Sequence, residues 1–139
     1  MSLKRGVWRA IRSLLAMASA FAVAVLVNWG GGELADATAF PSGNESRLGW
    51  DLTWVFIAGA LAAWTVVKLA PHAPRAHAWV LFALALTIHV AAVMQLGGDW
   101  PRWFSAGLLL TLPLQIWVGA WWALRPSIIP INWISKRSN

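Results

Sequence analysis

Four apolar stretches of about 20 residues, at about 8–29, 50–70, 76–96 and 103–124, alternate with short polar segments rich in Gly and Pro. An α-helix of ~20 residues rises about 30 Å, the thickness of a bilayer's hydrocarbon core. A backbone crossing lipid must satisfy its own N–H and C=O groups, so each stretch is expected to cross as a helix. The pattern predicts an all-α integral membrane protein, a four-helix up-down-up-down bundle joined by short turns. Residues 1–125 form the membrane domain. In the basic tail 126–139, Pro126 and Pro130 forbid a fifth span, and its Ile and Trp residues suit the membrane interface.

Charge orders the four spans. Nine of the 11 Lys and Arg fall on one side: Lys4, Arg5, Arg9, Arg12, Lys68, Arg75, Arg125, Lys136 and Arg137. The other side receives Arg47 and Arg102 and all five acids, Glu33, Asp36, Glu45, Asp51 and Asp99. The positive-inside rule then places both termini in the cytoplasm. Tyr is absent and Trp occurs 12 times, mostly near predicted span ends, as in an interfacial aromatic belt. The basic start followed by an apolar run also fits a secretory signal. The nearest small-residue cleavage site, Ala37-Thr38-Ala39, lies too far beyond the apolar core, so a retained first helix is expected.

Only 12 % of residues are charged and 59 % are hydrophobic, too apolar a balance for a soluble globule of 139 residues. The cations are scattered over span ends rather than gathered in a patch, so no nucleic-acid partner is expected. The expected partner is the bilayer, with anionic lipid at Arg125, Lys136 and Arg137. The absence of Cys excludes thiol redox chemistry and Cys-ligated metals. His72 and His77 flank a proline turn without a third ligand, so they predict a basic loop rather than a metal site. Ser105 has no flanking catalytic motif, and Asp51 and Asp99 lack an evident carboxylate partner. No enzymatic activity, cofactor or metal follows from the residues.

Three polar side chains fall inside the spans as a candidate intramembrane site: His89, Gln115 and Thr111. His89 shares a helix face with Ala85, Ala92 and Val93, small neighbours that mark a packing face. Two readings stand: a neutral imidazole hydrogen-bonded to a neighbouring helix, or a proton-handling or ligand site. Gln115 belongs to a seam in which every fourth residue, Gly107, Thr111, Gln115, Gly119 and Ala123, is small or polar. Gly59 and Ala63 extend the packing surface to the second span, and Ala16, Ala20 and Ala24 form a ridge on the first. Pro113 is expected to kink the fourth helix, with Thr111 or Gln115 satisfying the freed carbonyl. Gly30-Gly31-Gly32 is expected to end the first helix, with a short interfacial helix over 33–40.

Leu48-Gly49-Trp50, Arg75-Ala76-His77-Ala78 and the run from Leu96 to Phe104 (LGGDWPRWF) resemble a broad set of small bacterial four-helix inner-membrane proteins of unknown function. The resemblance spans most of residues 5 to 125. It implies a multi-pass protein of the bacterial inner membrane and no particular activity, and His89 is not among its shared residues.

The first functional expectation is a non-enzymatic accessory subunit of a larger membrane complex, or a homo-oligomer assembled through the Gly107–Ala123 seam or the alanine ridge. An alternative is a small proton-linked transporter using His89 and Gln115, although no Asp or Glu lies deep within a span, Asp51 standing at the start of the second. A further alternative is pigment or haem binding through His89, with Ala85 leaving room for a macrocycle.

Overall fold

The computed structural model describes residues 3–41, 43 and 45–126, so Lys136 and Arg137 of the tail lie outside the described residues. Within them the chain is all-α, with four helices: α1 (Leu3–Ala37), α2 (Glu45–Leu69), α3 (Pro74–Leu96) and α4 (Arg102–Leu124). Each is long and apolar enough to cross a membrane. Seven of the described cations gather at one end of the helices, here termed the basic end, and all five acids at the other, the acidic end, together with Arg47 and Arg102.

The first helix is longer than its apolar stretch. It has 35 residues, about 52 Å at 1.5 Å per residue, and runs through the glycine triplet to Ala37. The expected break at Gly30–Gly32 and the separate helix over 33–40 are therefore corrected. Gly31 serves packing instead: a Cβ there would overlap the ring of Trp54 on α2, and the Trp50 indole N–H donates to the Gly31 carbonyl at 2.8 Å. Termination comes about two turns later, where Ala39 adopts a left-handed φ of 51°. The Phe40 N–H donates to the Ala35 carbonyl and the Ala39 N–H to the Asp36 carbonyl, at 2.9 and 3.1 Å, a Schellman closure. Arg47 then clasps the two helices, donating to Asp36 at 2.8 Å and Asp51 at 3.3 Å.

The remaining turns follow the same local logic. Ala73, at φ 43°, precedes Pro74 in the first turn of α3, where a missing N–H leaves no hydrogen bond unmade. Gly97 closes α3 by donating to the Val93 carbonyl at 2.9 Å, and Pro101 turns the chain into α4. The connection 97–101 is the tight turn expected. α4 continues through Pro113 as one helix. Neither Thr111 nor Gln115 takes the role assigned beside that proline: Thr111 Oγ1 donates to the Gly107 carbonyl, and Gln115 Nε2 donates to Thr111 Oγ1.

α2 is the hub. It packs along both α1 and α4, while α1 and α4 do not meet and α1 barely touches α3. The arrangement is thus a row of α1, α2 and α4 with α3 packed against α2 and α4, rather than an evenly packed four-cornered bundle. α3 buries only 6 % of its apolar window, against 28 % for α2 and for α4. Glycine sets the α2–α4 contact: a Cβ at Gly119 would run into the Ala60 carbonyl and the Ala63 side chain. In lipid, where apolar burial drives little association, such close backbone approach supplies the packing attraction.

The seam and the alanine ridge both face inward within the single chain. Ala63 and Ala123 are buried, as are Ala16 and Ala20 in the same cluster with Val66, Leu81 and Leu112. These buried positions are covered by other helices of the same molecule, while Ala24, Gly107 and Thr111 are half-buried. The cluster fills the half of the structure nearer the basic end.

Candidate functional site

Above that cluster the helices part. A cavity of about 290 Å³ opens among all four, and its wall is apolar except for three side chains, Asn28 from α1, His89 from α3 and Gln115 from α4. The sparse contact between α1 and α3 leaves the cavity open sideways, with Val25 and Ile88 exposed on its two lips. An engineered apolar cavity of ~150 Å³ takes a benzene ring, so this space accommodates roughly two ring-sized groups.

Gln115 is the most deeply set of the three, at 1 % exposure. Burying an amide in an apolar wall costs free energy unless its donors and acceptor are engaged. One N–H is engaged by Thr111, whose own hydroxyl proton goes to the Gly107 carbonyl at 2.7 Å, so a hydrogen-bond chain runs up α4. The Oε1 atom lies against Gly59, where a side chain at that position would begin. Gly59 is thus the residue that makes room for the amide, and the contact has the form of a weak Cα–H···O interaction.

His89 is half-buried, and its Nδ1 lies 2.7 Å from the Ala85 carbonyl. A carbonyl only accepts, so this contact places a proton on Nδ1, and in the neutral tautomer Nε2 is then the acceptor. The expected partner on a neighbouring helix is corrected to the carbonyl one turn earlier on α3 itself. The imidazole is engaged through Nδ1. Ala85 acts as hydrogen-bond acceptor and cavity wall.

The structure brings His89 and Gln115 to one cavity and places Thr111 behind Gln115 rather than in the wall. Asn28 is the member that the sequence reading missed, passed over at the far end of the first predicted span. The signal was present: Ala16, Ala20, Ala24 and Asn28 continue one four-residue period, and α1 runs on beyond them. Of the seam residues, Gly59 lines the cavity, Gly107 faces Leu52 of α2, and Gly119, Ala63 and Ala123 lie in the packed half.

The remaining candidates stay apart from the cavity. The His72 and His77 rings meet edge to face at 5.7 Å, and His77 Nδ1 lies 3.2 Å from the Ala73 carbonyl. Among the described residues no group of three His, Asp or Glu could hold a metal ion. Asp51 is paired with Arg47, and the Ser105 hydroxyl is buried without a hydrogen-bond partner. Comparison with family models, with curated proteins and with solved structures gives no match.

Proposed function

We propose that this chain is a non-enzymatic, multi-pass protein of the bacterial inner membrane, with both termini cytoplasmic, that works by binding. Its ligand is a small amphipathic molecule, apolar in body with one hydrogen-bonding end, taken from the lipid phase through the gap between α1 and α3. One observation carries the reading: two polar side chains from different helices, His89 and Gln115, converge on a single cavity in an otherwise apolar wall. The His89 ring offers its Nε2, Gln115 offers an amide, and the surrounding Ala, Val, Leu and Ile side chains take the apolar body. The charge asymmetry supports the orientation, and the resemblance at the turns supports the bacterial inner membrane.

The test is the intact mass of the protein after gentle detergent extraction, with absorbance recorded on the same sample. We expect a small-molecule adduct on wild type that is lost in Gln115→Leu and reduced in His89→Ala. A ligand-free chain held by a defined protein partner would replace this reading with that of an accessory subunit.

A proton-linked transporter is the second reading, favoured by the shared cavity of His89 and Gln115. It would show as a pH-dependent flux abolished by His89→Ala. Against it, no carboxylate stands in the cavity to exchange a proton with the imidazole. Haem or pigment is less well served, since a tetrapyrrole exceeds a space of about 290 Å³.

A further inference from the structure

A second crevice, of about 400 Å³, lies between α3 and α4 on the half of the structure nearer the basic end. Its mouth holds Arg75, in the first turn of α3, and Leu124, in the last turn of α4. From there it runs inward to Phe82 and Pro113, seven and eleven residues deeper, or about 10 to 16 Å at helical rise. That depth matches one leaflet, half of the ~30 Å hydrocarbon core. The walls are apolar and aromatic, with Trp79, Trp117 and Trp121 on either side. Arg125 adds a second guanidinium at the same mouth, stacked 3.4 Å over the Trp121 ring.

Among the described residues, the charge at the mouth has no acidic counterpart. Every Asp and Glu lies at the acidic end, so neither Arg75 nor Arg125 has an acidic side chain within reach there. Two cations beside an apolar slot of one-leaflet depth are complementary to an anion that carries a hydrocarbon chain.

We infer that the α3–α4 crevice binds one anionic phospholipid, with an acyl chain along Trp79, Phe82, Pro113 and Trp117 and the phosphate between Arg75 and Arg125. Arginine suits this role because its planar fork engages phosphate oxygens in pairs. The inference rests on the proposed membrane setting and specifies where a lipid is held. It does not depend on the His89 cavity, which opens between α1 and α3.

The test uses the full chain in mild detergent, titrated with phosphatidylglycerol or phosphatidylcholine and read by intact mass. Wild type should retain phosphatidylglycerol in preference to phosphatidylcholine. The preference should fall about fivefold in Arg75→Gln or Arg125→Gln and about 30-fold in the double variant. Arg5→Gln combined with Arg9→Gln removes the same charge from the same end and should leave the preference within about twofold of wild type. Ala120→Phe, which fills the crevice wall, should lower retention of both lipids, with helix content checked by circular dichroism. Inorganic phosphate at millimolar concentration should not displace the lipid. Equal loss in the Arg5/Arg9 control would reduce the effect to general surface charge, and unchanged retention in a folded Ala120→Phe variant would remove the crevice; either overturns the inference. His89→Ala should leave lipid preference intact, so failure of the cavity reading and failure of this one are separable.

Discussion

At the residue scale, Gly59 and Gly119 look alike in sequence but meet different obstacles. A Cβ at Gly59 collides with the end of the Gln115 side chain, which can turn away at the cost of its bond to Thr111. A Cβ at Gly119 collides with the Ala60 backbone carbonyl, which moves only if α2 and α4 separate. Overpacking costs about 1–3 kcal/mol, and Ala gains up to ~1 kcal/mol over Gly in helix propensity. We therefore expect Gly59→Ala to destabilise by about 1 kcal/mol and Gly119→Ala by about 2 kcal/mol or more, read by reversible unfolding in SDS. Adding Gln115→Ala should recover most of the Gly59→Ala loss and none of the Gly119→Ala loss. Absence of that recovery would mean the amide does not sit against Gly59. The seam was legible because close helix contact admits few residue types and repeats every fourth position. The partner of His89 was not, because a rotamer that reaches back to the Ala85 carbonyl leaves no mark in the sequence.

Helix boundaries divide in the same way. The 97–101 turn was readable from its Gly and Pro residues, whereas the end of α1 was misplaced because glycine has two uses. At Gly31 the lack of a side chain admits Trp54, and neighbouring tryptophan donates to the carbonyl, so helix continues where propensity alone would end it. The true end uses alanine in a conformation that costs an L-residue about 1–2 kcal/mol. Replacing Ala39 with Gly keeps the Schellman bonds and relieves that cost, so Ala39→Gly should stabilise by about 1 kcal/mol in the same SDS assay. Destabilisation would show that α1 ends elsewhere. Arg47→Ala removes the clasp between α1 and α2, and the two ion pairs predict a loss of stability that shrinks as salt is added. A loss independent of ionic strength would assign the stabilisation to Arg47 packing instead.

At the scale of the whole molecule, α3 attracts attention in sequence because it carries His89, yet α2 organises the structure. α2 has small residues on more than one face, with Gly59 and Ala63 toward α4 and buried Ala58, Ala62 and Val66 around them. α3 shows no such breadth and leaves the two openings on its flanks, one toward α1 and one along α4. Which helix touches which is a sum over many weak packing preferences, so it was not readable from any single span. The orientation in the membrane is a different kind of quantity, because it depends on charge counts alone. The protein has no Cys, so single Cys reporters can be placed on an otherwise silent background. His72 is exposed in the α2–α3 turn, and Gly98 in the α3–α4 turn has open space where a side chain would begin. Lys68 and Arg75 flank the first turn, whereas Asp99 stands in the second, so the positive-inside rule retains the first in the cytoplasm. In intact cells a membrane-impermeant maleimide should label Gly98→Cys, and it should label His72→Cys only after the membrane is opened. The reverse pattern would invert the protein and place the arginines of the α3–α4 crevice in the outer leaflet. Equal labelling of both sites in sealed cells would mean that α3 does not separate two compartments, and the membrane-spanning assignment itself would fall.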